Sequence, residues 1–450
     1  MKKNVYVVHC VDTEGPLNES LDATFERIYE HTGVKLEPSK KNLDLVQKGL
    51  IDLNGKEAFA QKAFSKQLLD YMNNWEKLDA MLDTIQSKSF RNKYRDSKGQ
   101  GWVFNWFCLD NIDWLKNPRE RIIGDHKIYD HYHERLKLVE NHNDSIQFHY
   151  HPRNFKNHAH LVGTHWLNNG NHIYQILSKK IIDRMWFPSV NRPGFHVTRS
   201  DSNWFLEQFI PFDYANQALP LSGQKSQTVL DYRFGDWRGA PYSSSPYHPA
   251  HDDYKKEGDM RRWVARCMNV GTRHSLLTED DVLMAFATAN KGLPSILAFT
   301  NHDFRDMAPD VLYVQELLKK VSAKYPEVNF IYSNASSAFR HALEMQIEKP
   351  CKFNVLFKSV NNISYLEIES DVKTFGPQPY LALKTKDGCY HHDNFIIEEG
   401  HRKWIYFFDE HTFHYSDLES IGVAANNNCG YVTVININPS SHDIRIEEYV

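Results

Sequence analysis

Ser145-Ile146-Gln147-Phe148-His149-Tyr150-His151-Pro152 is a short run of strand character that ends in two histidines and a proline. Successive side chains on a strand alternate between faces, so His149 and His151 point the same way. Neutral imidazole is the commonest protein metal ligand, and two on one face make half a site. The same pattern of apolar run and polar exit recurs. Residues 5–11 lead into Asp12-Thr13-Glu14-Gly15-Pro16, residues 187–191 into Arg192-Pro193-Gly194-Phe195, and residues 294–301 into His302-Asp303. Reacting groups in α/β barrels and open sheets sit at strand C-terminal ends. Asp12 and Glu14 share a face if the strand continues through them, although Asp, Thr and Gly also suit a turn.

Around these exits the chain divides by texture. From 5 to 345, apolar runs alternate with helical periodicity at 120–140, 172–185, 278–290, 309–324 and 334–345. That alternation predicts a largely parallel sheet or barrel. Residues 17–98 are polar and helix-rich, with Phe64, Leu68, Leu69, Tyr71, Met72 and Trp75 at helical spacings, and read as an inserted lobe. Residues 216–260 are loop-rich and contain Asp236-Trp237 and several tyrosines. After Pro350 short alternating runs at 353–358, 364–369, 379–384, 394–398, 403–408 and 430–437 predict a small β-sandwich. The expected organisation is a barrel domain over 1–348, with the helical insertion at 17–98, and an accessory sandwich over 349–450 of structural or interaction character.

The 450 residues carry 53 Lys+Arg against 57 Asp+Glu, a net charge of −4, so no polyelectrolyte partner is implied and nucleic acid is not favoured. No run of 18 apolar residues indicates a membrane span. The first apolar run is too short for a signal segment. Six scattered cysteines without a CxxC pair read as reduced thiols. These features predict a cytoplasmic enzyme. The 24 histidines, 26 Phe, 23 Tyr and 10 Trp are the unusual counts; histidines suit metals and proton transfer, and aromatic side chains suit sugar rings and cores alike.

The order of motifs resembles the polysaccharide deacetylase superfamily, that is, carbohydrate esterase family 4 and its relatives. Asp12-Thr13-Glu14-Gly15-Pro16 is similar to the family's acidic motif, stretched by one residue. His149-Tyr150-His151-Pro152 resembles its histidine motif, Arg192-Pro193-Gly194-Phe195 its arginine element, Asp236-Trp237 its Asp-Trp pair, and His302 its final histidine. The resemblance spans about residues 5–345 apart from the insertion. It implies an irregular (β/α) barrel, usually seven-stranded, and metal-dependent removal of an acyl group from a sugar. Two departures stand out. The family spaces its histidines i, i+4, so His151 departs from it, with His158 and His160 as other candidates. Anchoring on Gly-Pro makes Glu14 the ligand and Thr13 the base; keeping both carboxylates makes Asp12 the base, which chemistry favours because threonine is no general base near neutral pH.

What the resemblance implies is a Zn²⁺-type site of Glu14, His149 and His151, with Asp12 as base, Arg192 holding Asp12, His302 as acid and Asp236 orienting His302. The expected partner is an acylated sugar, oligosaccharide or sugar-derived precursor, such as a building block of a surface polysaccharide. Two rivals remain open at this point. One is a metal-dependent amidohydrolase on a small amide, whose superfamily also uses His-x-His at a strand end. The other is a carbohydrate-binding relative without catalysis.

Overall fold

The computed structural model describes residues 3–110, 117–121, 126–139, 143–158, 163, 165–224, 235–272, 274–346 and 349–449. Eight strands form the first sheet: β1 (Asn4–Thr13), β2 (Phe104–Asp110), β3 (Ser145–Tyr150), β4 (Val190–Pro193), β5 (Phe212–Asn216), β6 (Trp263–Asn269), β7 (Ile296–His302) and β8 (Asn329–Tyr332). Seven of them close into a parallel barrel in the order β2-β3-β4-β5-β6-β7-β1, with β1 pairing again to β2 and β8 added to β1. The fold is therefore a TIM-like α/β barrel followed by antiparallel sheets.

Contacts divide the chain into two compact units, one of residues 1–162 and 267–333, the other of 163–266 and 334–450. The boundary expected at 348/349 falls at residues 347–348, outside the described set.

In the first unit β1 is the hub. Its Val-rich, β-branched sequence suits a parallel strand covered on both faces. Residues 4–7 pair with β8, 6–12 with β7 and 9–13 with β2. The pairing carries through Asp12 and Thr13, so the acidic pair begins within the strand and turn geometry starts only at Gly15, whose φ is 72°. His9 lies in the middle of β1, and both of its ring nitrogens have partners there. Trp102 Nε1 donates to its Nδ1 at 3.0 Å, and its Nε2 meets Asn301 Oδ1 at 2.9 Å. An indole N–H can only donate, so the imidazole is neutral with its proton on Nε2. Burial accordingly pulls its pKa down to about 4.

The insertion carries its own apolar cluster of Phe25, Ile28, Val46, Leu53, Ala60, Ala63 and Phe64. Its helices start where Ser20, Ser39 and Asn74 side chains accept N–H groups of the first turn. The run read as one periodic stretch from Phe64 to Trp75 is broken. Helix Lys66–Leu69 ends, and Tyr71 and Met72 lie in an irregular segment before the Asn74 cap. Met72 there exchanges backbone hydrogen bonds with Leu17 and Phe304, tying the insertion to the loop after β7.

In the second unit, helix Gly170–Arg184 packs against the larger of two antiparallel sheets. Ser178 Oγ donates to His391 O at 2.9 Å, and Tyr380 OH to Tyr174 O at 2.7 Å. Gly422 permits the approach, because a Cβ there would lie 2.5 Å from Ile181 Cγ2. The sheets have four and five strands and enclose Leu366, Ile368, Leu383, Trp404, Tyr406, Ile421, Val423 and Ile435, a β-sandwich core. Strands Tyr390–Asp393, Leu418–Asn426 and Ile444–Tyr449 belong to it in addition to the six runs expected. β5 and β6 were likewise not anticipated as strands. Among the described residues no helix is long and apolar enough to cross a membrane.

Candidate metal centre

Glu14, His149 and His151 each turn one ligand atom into a common point, all within 4.8 Å of one another. The three residues are at most 2 % exposed. The strand alternation that puts both histidines on one face brings their Nε2 atoms to 2.9 Å, with the ring planes at 76°. Two facing imidazole nitrogens can share one proton or direct both lone pairs at a cation. Glu14 Oε1 lies 3.7 Å from His151 Nε2. Its other oxygen, Oε2, is paired with Arg121 Nη2, which fixes the rotation of the carboxylate and leaves Oε1 facing the histidines.

A second carboxylate sets the Glu14 backbone. Asp303 accepts the amide N–H of Glu14 and of Gly15, each at 2.9 Å, and the Tyr132 hydroxyl at 2.9 Å. Burial pushes the Asp303 carboxyl up to about 7 although these three donors pull it down. The Tyr132 hydroxyl is itself held well above its ordinary range by burial.

Asp12 stands beside this cluster. Its Oδ1 is 3.7 Å from His149 Nδ1, and its Oδ2 is 3.7 Å from His302 Nε2. The parallel register that sets Asp12 opposite His302 accounts for the second contact. His302 Nε2 is also 3.9 Å from Glu14 Oε1, and its ring rests on Phe304 with centroids 4.7 Å apart. The His302 side chain is 22 % exposed, whereas Asp12, Glu14, His149 and His151 are at 4 % or less. His302 is therefore the member of the group in contact with solvent.

The chain matches no protein-family model, no curated protein and no solved structure. What it can do has to be argued from the side chains.

Two imidazole nitrogens and a carboxylate oxygen, buried and convergent, fit a divalent cation of the zinc type. Of the seven residues singled out from the sequence, the structure brings five together: Asp12, Glu14, His149, His151 and His302. Arg192 and Asp236 belong to the second unit. Arg192 Nη2 meets His196 Nε2 at 2.6 Å, and Gln217 Nε2 meets the same nitrogen at 2.6 Å. Phe195 and His196 both hold positive φ, of 50° and 53°, to make this approach. Asp236 takes Arg238 Nε at 2.9 Å and Lys255 at 3.5 Å, and these partners hold its carboxyl down at about 2. Of the other candidate histidines, His158 is half-buried and His160 lies outside the described residues.

Arg121 and Tyr132 went unread in the sequence. Both fall in the segment taken as one helix over 120–140, whereas the helix is Lys127–Leu138 and Arg121 precedes it in a loop. Asn117-Pro118 is the signal for that loop: a proline disfavours helical geometry in the residue before it.

Proposed function

We propose that the chain is a metal-dependent hydrolase that removes an acyl group, acetyl in the simplest case, from a sugar or sugar-derived precursor. The observation that carries the reading is the convergence of Glu14, His149 and His151 with Asp12 and His302 against them. Glu14, His149 and His151 would hold the cation, which when bound would polarise the acyl carbonyl and lower the pKa of water towards about 7 in the best zinc case.

The rest of the chemistry falls to the chain. Asp12 is outside the ligand cluster but in contact with it, and its carboxylate takes the proton of an attacking water. His302, the exposed member, gives a proton to the departing amine or alcohol. Asp12 links the two through its contact with His302 Nε2. Proton transfer of this kind contributes about 10²–10⁴-fold. Arg121 and Asp303 act on Glu14, one through its side chain and one through its backbone, and keep its free oxygen aimed inward. None of the six cysteines forms a disulfide, which accords with a reducing compartment such as the cytoplasm.

The test is acetate release across a panel of N- and O-acetylated sugars and nucleotide-sugars, with elemental analysis of the purified protein. About one divalent metal per chain and acetate release from a panel member support the reading. Metal without release from any acyl-sugar refutes it. The i, i+2 spacing of His149 and His151 favours one alternative, an amidohydrolase acting on a small amide. Ammonia or amine release from such amides, in the same assay, would establish that instead.

A further inference from the structure

Four arginines gather beside Glu14 from three separate segments of the first unit. Arg27 lies on the insertion helix Leu21–Thr32, Arg119 and Arg121 in the irregular segment 117–121, and Arg305 in the loop after β7. Arg27 Nη1 donates to Glu19 at 2.5 and 2.6 Å, and Arg119 Nε pairs with the same carboxylate. Tyr71 OH accepts from Arg119 Nη2 at 3.2 Å and from Arg27 Nη1 at 3.4 Å. The Tyr71 ring meets Phe304 edge-on at 5.9 Å, and the Arg305 guanidinium lies 5.2 Å from the Phe304 ring. Arg305 is within electrostatic reach of both Arg27 and Arg119, and of Asp310.

This is an expensive way to build a fold. Burying one guanidinium costs several kcal/mol unless its charge and its N–H groups are met. Here four guanidinium groups stand against three carboxylates, Glu14, Glu19 and Asp310. Glu14 is shared with the histidines, and Asp310 also accepts from Asn301 Nδ2 at 2.8 Å. The donors are also in excess. Arg121, with a side chain 5 % exposed, has Nε and Nη1 without an acceptor among the described residues, and Arg27 Nη2 has none either. Five N–H donors per guanidinium in a fixed fork match carboxylate and phosphate oxygens.

We propose that Arg119, Arg121 and Arg305, backed by Arg27 and Tyr71, form an oxyanion subsite that receives a phosphate or carboxylate carried by the substrate. Arg121 joins the two sites: one nitrogen holds Glu14 Oε2 while its remaining donors face the anion. The substrate on this account is an anionic acyl-sugar, and a neutral polymer is disfavoured. The insertion exists in part to supply Arg27, Glu19 and Tyr71, which fix the arginine planes. The catalytic half of this inference rests on the acyl-sugar reading; the binding half does not.

The experiment is isothermal titration of the full chain with inorganic phosphate and, separately, with glucuronate, for wild type, Arg119→Gln and Arg305→Gln. Saturable binding of at least one anion, weakened tenfold or more by either substitution, is the expected result, and the preferred anion tells phosphate from carboxylate. No binding of either anion, or affinities unchanged in folded variants, overturns the proposal. Should Arg119→Gln fail to fold by circular dichroism, Arg305→Gln decides, since Arg305 is only half-buried. In the acetate assay, Arg305→Gln should lower kcat/KM for a phosphorylated or carboxylated N-acetyl sugar about tenfold more than for its neutral counterpart; equal losses overturn the subsite. If no sugar releases acetate at all, the hydrolase reading fails while the titration still decides the anion site.

Discussion

Each unit buries charged groups, and they are arranged in opposite ways. In the second unit Asp213 and Arg262, 1 % and 0 % exposed, meet at 2.6 Å. Asn191 Nδ2 adds a hydrogen bond to the same Asp213 oxygen at 2.8 Å, and Arg262 Nη1 donates to Asn203 Oδ1. One cation and one anion close on each other at hydrogen-bond distance, with Arg192 also within electrostatic reach of the carboxylate. In the first unit Asp12, Glu14, His149, His151 and His302 are as deeply placed apart from His302, yet three of their contacts stop at 3.7 Å and one at 3.9 Å. Those distances are too long for hydrogen bonds. The Asp213–Arg262 pair closes at hydrogen-bond distance, whereas the carboxylates of the first cluster stand farther from their imidazoles.

The comparison can be broken most directly at the histidines. His149→Ala should reduce bound metal, by elemental analysis, from about one per chain to trace, and reduce acetate release by more than about 10³-fold. A variant that keeps its metal would make the cluster one more closed network. Asp12→Asn should keep the metal and lose about 10²–10⁴-fold in kcat. A loss of metal in that variant would make Asp12 a ligand.

On the other side, Arg262→Met should leave metal content alone and cost about 3–5 kcal/mol in chemical denaturation, because it strands a buried carboxylate. Burial already raises the Asp213 pKa. A carboxyl whose folded pKa is raised prefers the protonated form in the fold, so its stability contribution is present below about 3.8 and is lost as pH rises through the folded value. The deficit of Arg262→Met should therefore shrink towards acid pH; a deficit that grows there would mean the pair is not what holds Asp213.

The smallest expected effect is at His9. Its pKa falls from 6.5 to about 4 in the fold, so the neutral form is favoured, stability is complete above 6.5, and it declines as pH falls towards 4. The loss should reach about 3 kcal/mol at the acid end. Denaturation midpoints at pH 7 and pH 4.5 should converge in His9→Gln relative to wild type.

The sequence shows some of these parts and hides others for a physical reason. β1, β3 and β7 are legible because no Asp, Glu, Lys or Arg interrupts them before the exit, so the apolar run stands out. β5 and β6 are not. β5 holds Asp213 and Asn216, and β6 holds Arg266. Their partners, Arg262, Pro241 O and Ala218 O, are known only once the chain is folded. The i, i+2 spacings of Asp12 with Glu14 and of His149 with His151 are short-range facts and could be read directly. Arg121, Tyr132 and the anion-facing arginines depend on which loop lies over which strand exit, and no local pattern carries that. Asp236 shows the converse: the Asp-Trp pair is conspicuous in sequence, and its carboxylate holds Arg238 and Lys255 at the surface of its own unit.

The clamp on Glu14 also sets a time. The carboxylate that grips the Glu14 and Gly15 amides is residue 303, and it is steadied by Tyr132. A nascent chain has the histidines and Glu14 long before it has Asp303. Until the ribosome has passed that residue, the turn bearing Glu14 lacks its backbone clamp, and β7, one of the strands that pair with β1, has yet to dock. The cluster is therefore assembled late in synthesis, and any metal it takes would be bound by a nearly finished barrel, not by an emerging fragment.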